Sequence, residues 1–155
     1  MSETPTYYTA YQLPETERAR LLDIFPAKFD KIVMHHVTYD FDVTSDEKPP
    51  EIGQACIVGC HANDRIQALV VELDGQKFQK TAHEKRYLHI TMSRDTASGA
   101  RNVESNQMLD QIVKTSGEDA LYNLSEPILF KAIPVNIQRR TKSPDSLKKP
   151  QNPRL

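Results

Sequence analysis

Apolar and polar positions fall into a few runs, each with its own period. Residues 6–13 (TYYTAYQL) are aromatic and β-branched and stop at Pro14, which predicts a strand. Pro14 suits a first helical position, and Glu15 and Glu17 add negative charge to the first turn. Ala19, Leu21, Leu22, Ile24 and Phe25 then gather on one side before Pro26, so a short amphipathic helix is expected. Residues 31–43 (KIVMHHVTYDFDV) read as one strand carrying two histidines, followed by a polar, proline-containing loop over 44–51. Residues 52–60 and 65–73 predict a hairpin turning at His61, Ala62, Asn63 and Asp64. Within it 68–73 (ALVVEL) is almost continuously apolar, as in a strand covered on both faces. Residues 87–93 (YLHITMS) predict another strand. Met108, Leu109, Ile112 and Val113 recur at helical spacing, so a second helix is expected to start near Ser105. The last strand-like run, 127–138, contains Pro134, which demotes part of it to an edge or a bulge.

The 155 residues suffice for one domain with a single core but not for two. Charge divides the chain unequally. Residues 139–155 hold six basic residues against Asp145, a net +5, and the rest carries −6. With three prolines and few apolar residues, 141–155 is expected to be a basic, flexible tail on a domain spanning 1–140. No run of eighteen apolar residues occurs, and MSETPTYY lacks the basic and apolar stretches of a secretory signal. A cytoplasmic protein with no membrane partner is expected, and a monomer is favoured.

Cys56 and Cys60 are too few for a disulfide scaffold and read as reduced thiols. With His61 and His83 they suggest a metal site, but four residues along a strand span about 13 Å, too far to share one tetrahedral ion. Neither metal nor cofactor is expected. The segment 98–102 lacks the glycines and lysine of a nucleotide-triphosphate loop.

One pattern occurs twice within predicted strands: His36-Val37-Thr38 and His89-Ile90-Thr91. Side chains alternate across a strand, so His36 and Thr38 share one face, as do His89, Thr91 and Ser93, opposite their apolar neighbours. By the same alternation His35 belongs to the face opposite His36, outside the site. If the two strands are neighbours, two imidazoles and two hydroxyls surround one groove. Cleaving a phosphodiester takes a base for the attacking oxygen and an acid for the leaving oxygen, and histidine serves as either near neutral pH. Threonine hydroxyls would donate to the non-bridging oxygens where charge builds. Tyr7, Tyr8 and Tyr11 offer aromatic surface for a base, with Tyr7 and Tyr11 preferred as substrate-binding residues.

HHVTYDF and YLHITMS resemble the paired histidine-x-threonine/serine motifs of the two-histidine (2H) phosphoesterase superfamily. ALVVELDG before the second motif and RNVESNQML after it are similar to the cyclic phosphodiesterase domains of fungal and plant tRNA ligases and to related small bacterial and phage proteins. The likeness covers about 7–138. It implies a two-lobed α+β fold with antiparallel sheets, pseudo-twofold symmetry, helices packed outside and a central groove. It further implies metal-independent hydrolysis of 2′,3′-cyclic phosphates of RNA ends or nucleotides. His36 and His89 would be acid and base in either order, Thr38 and Thr91 the phosphate binders, and Ser93 and Ser105 further substrate contacts. Two alternatives stand beside it: degradation of a cyclic nucleotide signal, and a non-catalytic RNA-binding module.

Overall fold

The β-prone runs pair antiparallel throughout. A computed structural model describes residues 6–80 and 85–139. The expected basic tail over 141–155 lies outside the described residues, as does His83. In chain order the elements are β1 (Thr6–Gln12), α1 (Glu15–Ile24), β2 (Lys31–Ile32), β3 (His36–Val43), β4 (Ala55–Ala62) and β5 (Ile66–Leu73). There follow β6 (Phe78–Lys80), β7 (Lys85–Tyr87), β8 (His89–Arg94), α2 (Glu104–Ser116), a 3-10 turn (Glu118–Leu121), β9 (Ile128–Phe130) and β10 (Ile133–Arg139). The main sheet runs β10-β1-β3-β8-β5-β4-β9, with β2 also on β8, while β6 and β7 form a separate hairpin. The fold is α+β, a curled antiparallel sheet with two helices.

Period-two burial decides which helix covers which face. On β5, Leu69, Val71 and Leu73 join a core containing Leu21 of α1, with Leu22 and Phe25 packed against it. Ile66, Ala68 and Val70 join a second core containing Met108 and Leu109 of α2. The continuous apolar run of β5 is thus explained by a helix on either side. Asn63 closes the β4–β5 turn, its Oδ1 accepting both the Arg65 and the Ile66 N–H at 2.8 Å. Gly59 lets the 3-10 turn approach β4, since a Cβ there would lie 1.9 Å from the Leu121 carbonyl oxygen.

Two strand expectations need correction. Residues 31–43 are not one strand: Met34 takes φ 39°, which breaks the run into β2 and β3 and leaves His35 outside both. The residues opposite reveal the irregularity. Ile32 pairs with Ser93, whereas Val37 pairs with Ile90, so two extra residues sit on the β2–β3 side between these pairs. Residues 127–138 likewise divide into β9 and β10, at opposite edges of the sheet. Pro134 lies on the edge strand β10, where its missing N–H is tolerated. Cys56 and Cys60 are free thiols that pack into different cores because a bulge between Ile57 and Gly59 reverses the alternation.

Candidate active site

The strands β3 and β8 are neighbours, and the middle residues of the two repeated motifs pair with each other, Val37 with Ile90. Both are fully buried in the core beneath α1. Alternation therefore turns His36, Thr38, His89 and Thr91 to the other face, where all four line a groove of about 410 Å³. The helix α2 packs over β5 and β7 on that face, and the groove lies between the start of this helix and the strands β3 and β1. Asn102, just before α2, and Ser105 and Asn106 in its first turn form one wall; Tyr8 and Phe41 form the other.

The start of α2 is fixed by charge. Arg65 holds both Glu104 oxygens at 2.7 and 3.0 Å, and the Arg101 N–H donates to Glu104 Oε2 at 3.0 Å. The Arg65 hydrogen bond draws the Glu104 carboxyl down to about 2. Ser105 is thereby set beside β8.

His89 is only 9% exposed. Its Nδ1 lies 2.7 Å from the Tyr87 carbonyl oxygen, which can only accept, so Nδ1 carries a proton and donates it. In the neutral ring Nε2 is then a lone pair, and the Ser105 hydroxyl at 2.9 Å donates to it. Thr91 Oγ1 in turn donates to Ser105 Oγ at 2.9 Å. When His89 is charged the chain reverses: Nε2–H donates to Ser105, whose own proton turns to the Asn102 carbonyl at 2.8 Å. Ser105 thus satisfies both protonation states. Burial pushes His89 down to about 4, opposed by the Tyr87 carbonyl and assisted by the Arg86 charge, so the neutral form prevails at pH 7.

His36 is half-buried, with Tyr8 tilted against its ring at 5.6 Å. Its Nδ1 meets His35 Nδ1 at 2.8 Å, a contact that requires one proton between the two nitrogens. Burial first, then His35 and His89, bring His36 down to about 4. His35 therefore touches the site that the alternation argument placed it outside. The break at Met34 removes it from the strand and cancels the parity on which that argument rested.

Three further expected site residues lie elsewhere. Tyr11 is fully buried on the α1 face; its hydroxyl donates to the Pro50 carbonyl at 2.6 Å, and burial raises its phenol well above the ordinary value. Tyr7 is half-buried on β1 and does not line the groove. Successive side chains of a strand point to opposite faces, so the aromatic residue delivered to the groove is Tyr8. Ser93 shares a face with Thr91 but is fully buried, donating to Gln67 Oε1 at 2.5 Å and accepting the Phe29 N–H at 3.3 Å. The segment leading into β2 covers that end of β8. Ser105 lines the groove, but bound to His89 and Thr91.

Among the lining residues that sequence reasoning missed, Arg86 is the charged one. It belongs to β7, part of a hairpin separate from the main sheet, so no strand pattern ties it to the motifs. Its Nη1 donates to the Thr38 carbonyl at 3.1 Å and its Nη2 to that of Tyr39. The guanidinium carbon lies 4.9 Å from the Phe41 ring centre. No carboxylate and no second Lys or Arg lines the groove among the described residues. Among these residues, too, no cluster of three or more His, Cys, Asp or Glu is placed to hold a metal ion, and no helix is long and apolar enough to cross a membrane. Comparison with protein-family models, curated proteins and solved structures gives no match for this chain.

Proposed function

We propose that the groove hydrolyses a phosphodiester by two-histidine acid–base catalysis without a metal, its substrate a 2′,3′-cyclic phosphate on a nucleotide or an RNA end. The observation that carries this reading is the Val37–Ile90 pairing, which sets two imidazoles and two threonine hydroxyls around one cavity. This reading implies a two-lobed 2H-type fold whose pseudo-twofold axis passes between the two antiparallel motifs, and the Val37–Ile90 pairing supports it. One imidazole takes a proton from the attacking water as its oxygen bonds to phosphorus. The other gives a proton to the ribose oxygen as its bond to phosphorus breaks. Both rings are neutral near pH 7, so the acid must gain its proton as substrate arrives, and the phosphate charge favours that step. Thr38 and Thr91 donate to the non-bridging oxygens, and Thr91 does so by releasing Ser105.

The test is turnover of nucleoside 2′,3′-cyclic phosphates and cyclic-phosphate-ended RNA in EDTA, with 2′- and 3′-monophosphate products resolved. Each of His36→Ala and His89→Ala should lower kcat by about 10²–10⁴. Activity that vanishes in EDTA, or survives both substitutions, refutes the mechanism. Saturable RNA binding without turnover by the unaltered protein would identify a binding module instead.

A further inference from the structure

The groove described above has an imbalance of charge. Its ligand is an anion in the proposed reading, yet both imidazoles are neutral near pH 7 and the hydroxyls and amides carry no formal charge. Arg86 alone supplies a permanent positive charge to the lining among the described residues. Burial lowers its pKa, and the exposed Asp40 carboxylate acts in the opposite direction without forming an ion pair with it. A guanidinium remains charged under such pressure.

Its hydrogen bonds are oriented but incomplete. Two terminal N–H groups are held by the Thr38 and Tyr39 carbonyls, which fix the plane of the guanidinium without neutralising it. The Nε–H is buried and has no partner among the described residues. A buried donor without an acceptor is costly, and a charged one more so, which calls for an occupant with acceptor oxygens. The guanidinium fork matches a phosphoryl group in shape and charge. Thr38 links the two roles: its carbonyl grips Arg86, while its side chain lines the same groove.

We propose that Arg86 is the phosphoryl anchor of the groove, binding a non-bridging oxygen of a phosphate ester through the donors its carbonyl clamp leaves unused. This deepens the phosphodiesterase reading and rests on it for the identity of the substrate. The anchor then contributes to affinity and to stabilisation of the extra negative charge that builds on phosphorus during attack. A residue that merely clamped β7 to β3 would give its carbonyl bonds and nothing to the ligand.

The experiment titrates inorganic phosphate into the full-length protein and follows the Arg86 Nε–H signal by NMR, assigned by its loss in Arg86→Lys. Saturable movement of that signal is expected, together with the His36 and His89 imidazoles. In Arg86→Gln affinity should fall by about tenfold to a hundredfold, the fold-change equivalent of one charge-assisted hydrogen bond. An Nε–H that stays unmoved while the imidazoles respond, absence of phosphate binding, or unchanged affinity in folded Arg86→Gln overturns the anchor. Because the Nε–H is read in the unaltered protein, a variant that fails to fold does not block the test. Phosphate binding through Arg86 in a protein that never turns over cyclic phosphates keeps the anchor and refutes the reaction. Turnover with no response from Arg86 does the reverse.

Discussion

The two neutral imidazoles make a quantitative prediction about acid stability. His36 and His89 each sit at about 4 in the folded protein, against an ordinary histidine value of 6.5. Their folded pKa values are depressed, so the unfolded chain takes up protons at a pH where the native state does not. The stabilisation is fully present above pH 6.5 and is lost as pH falls from 6.5 to about 4. A difference of about 2.5 units corresponds to roughly 3 kcal/mol for each ring, on a domain whose total stability is of the order of 5–15 kcal/mol. Between pH 5.5 and 5.0 the slope should be about 1.4 kcal/mol per pH unit for one histidine and twice that for both. The carboxyls of Glu17, Glu104 and Glu118, lowered in the folded protein, add a smaller slope at the acid end of this window as the unfolded chain's glutamates approach 4.5, so the histidine share is read as the difference between wild type and the variants. Urea unfolding at half-unit steps from pH 7.5 to 5.0 measures the slope directly. The His36→Gln and His89→Gln variants should each lose about half of it, whatever their stability at pH 7.5, and the double variant most of it. Because the two rings influence one another, the halves need not be equal. A stability independent of pH over this window, or a wild-type slope retained in His89→Gln, would show that the rings are not held neutral by burial.

Two further predictions concern residues around the rings. Ser105→Ala removes the partner of His89 Nε2 in both protonation states, and the charged ring loses the stronger bond. The His89 pKa should therefore fall further, by roughly 0.5–1 unit, as read from its imidazole NMR titration; a rise would contradict the proton assignment. The tyrosines of β1 should separate: Tyr11→Phe loses the bond to the Pro50 carbonyl and about 1 kcal/mol of stability but no activity. Tyr8→Leu, which strips the ring from His36, should change KM and kcat while leaving the unfolding midpoint nearer wild type; the opposite pattern would refute the assignment of faces.

Much of the molecule was legible from one-dimensional pattern. The helical stripe of Met108 and Leu109, the doubly covered run of β5 and the paired histidine-x-threonine motifs depend on local periodicity, which each residue expresses with its near neighbours. His36, Thr38, His89 and Thr91 could thus be assigned to one face of their strands without knowing the sheet. The same rule failed wherever the backbone broke its period. Met34, at φ 39°, ends β2 and returns His35 to His36, and the ring-to-ring contact follows from that one residue's conformation. Alternation on β1 separates Tyr8 from its neighbours Tyr7 and Tyr11, but which set faces the groove depends on where α1 and α2 pack. Ser93 obeyed its parity and was still lost to the site, because chain more than sixty residues away covers it.

The sequence by itself therefore determined most of the elements, though not where two of the strand runs divide, and the chemical types brought to them: two imidazoles, two hydroxyls, and the apolar residues that bury the opposite faces. Tertiary structure alone decided that Val37 meets Ile90, that Ser105 supplies the second hydrogen bond of His89, and that Arg86 reaches the groove from a separate hairpin. The physical reason is range. Backbone alternation acts between adjacent residues, whereas strand pairing, desolvation and the approach of a charge are set by distances between segments far apart in the chain.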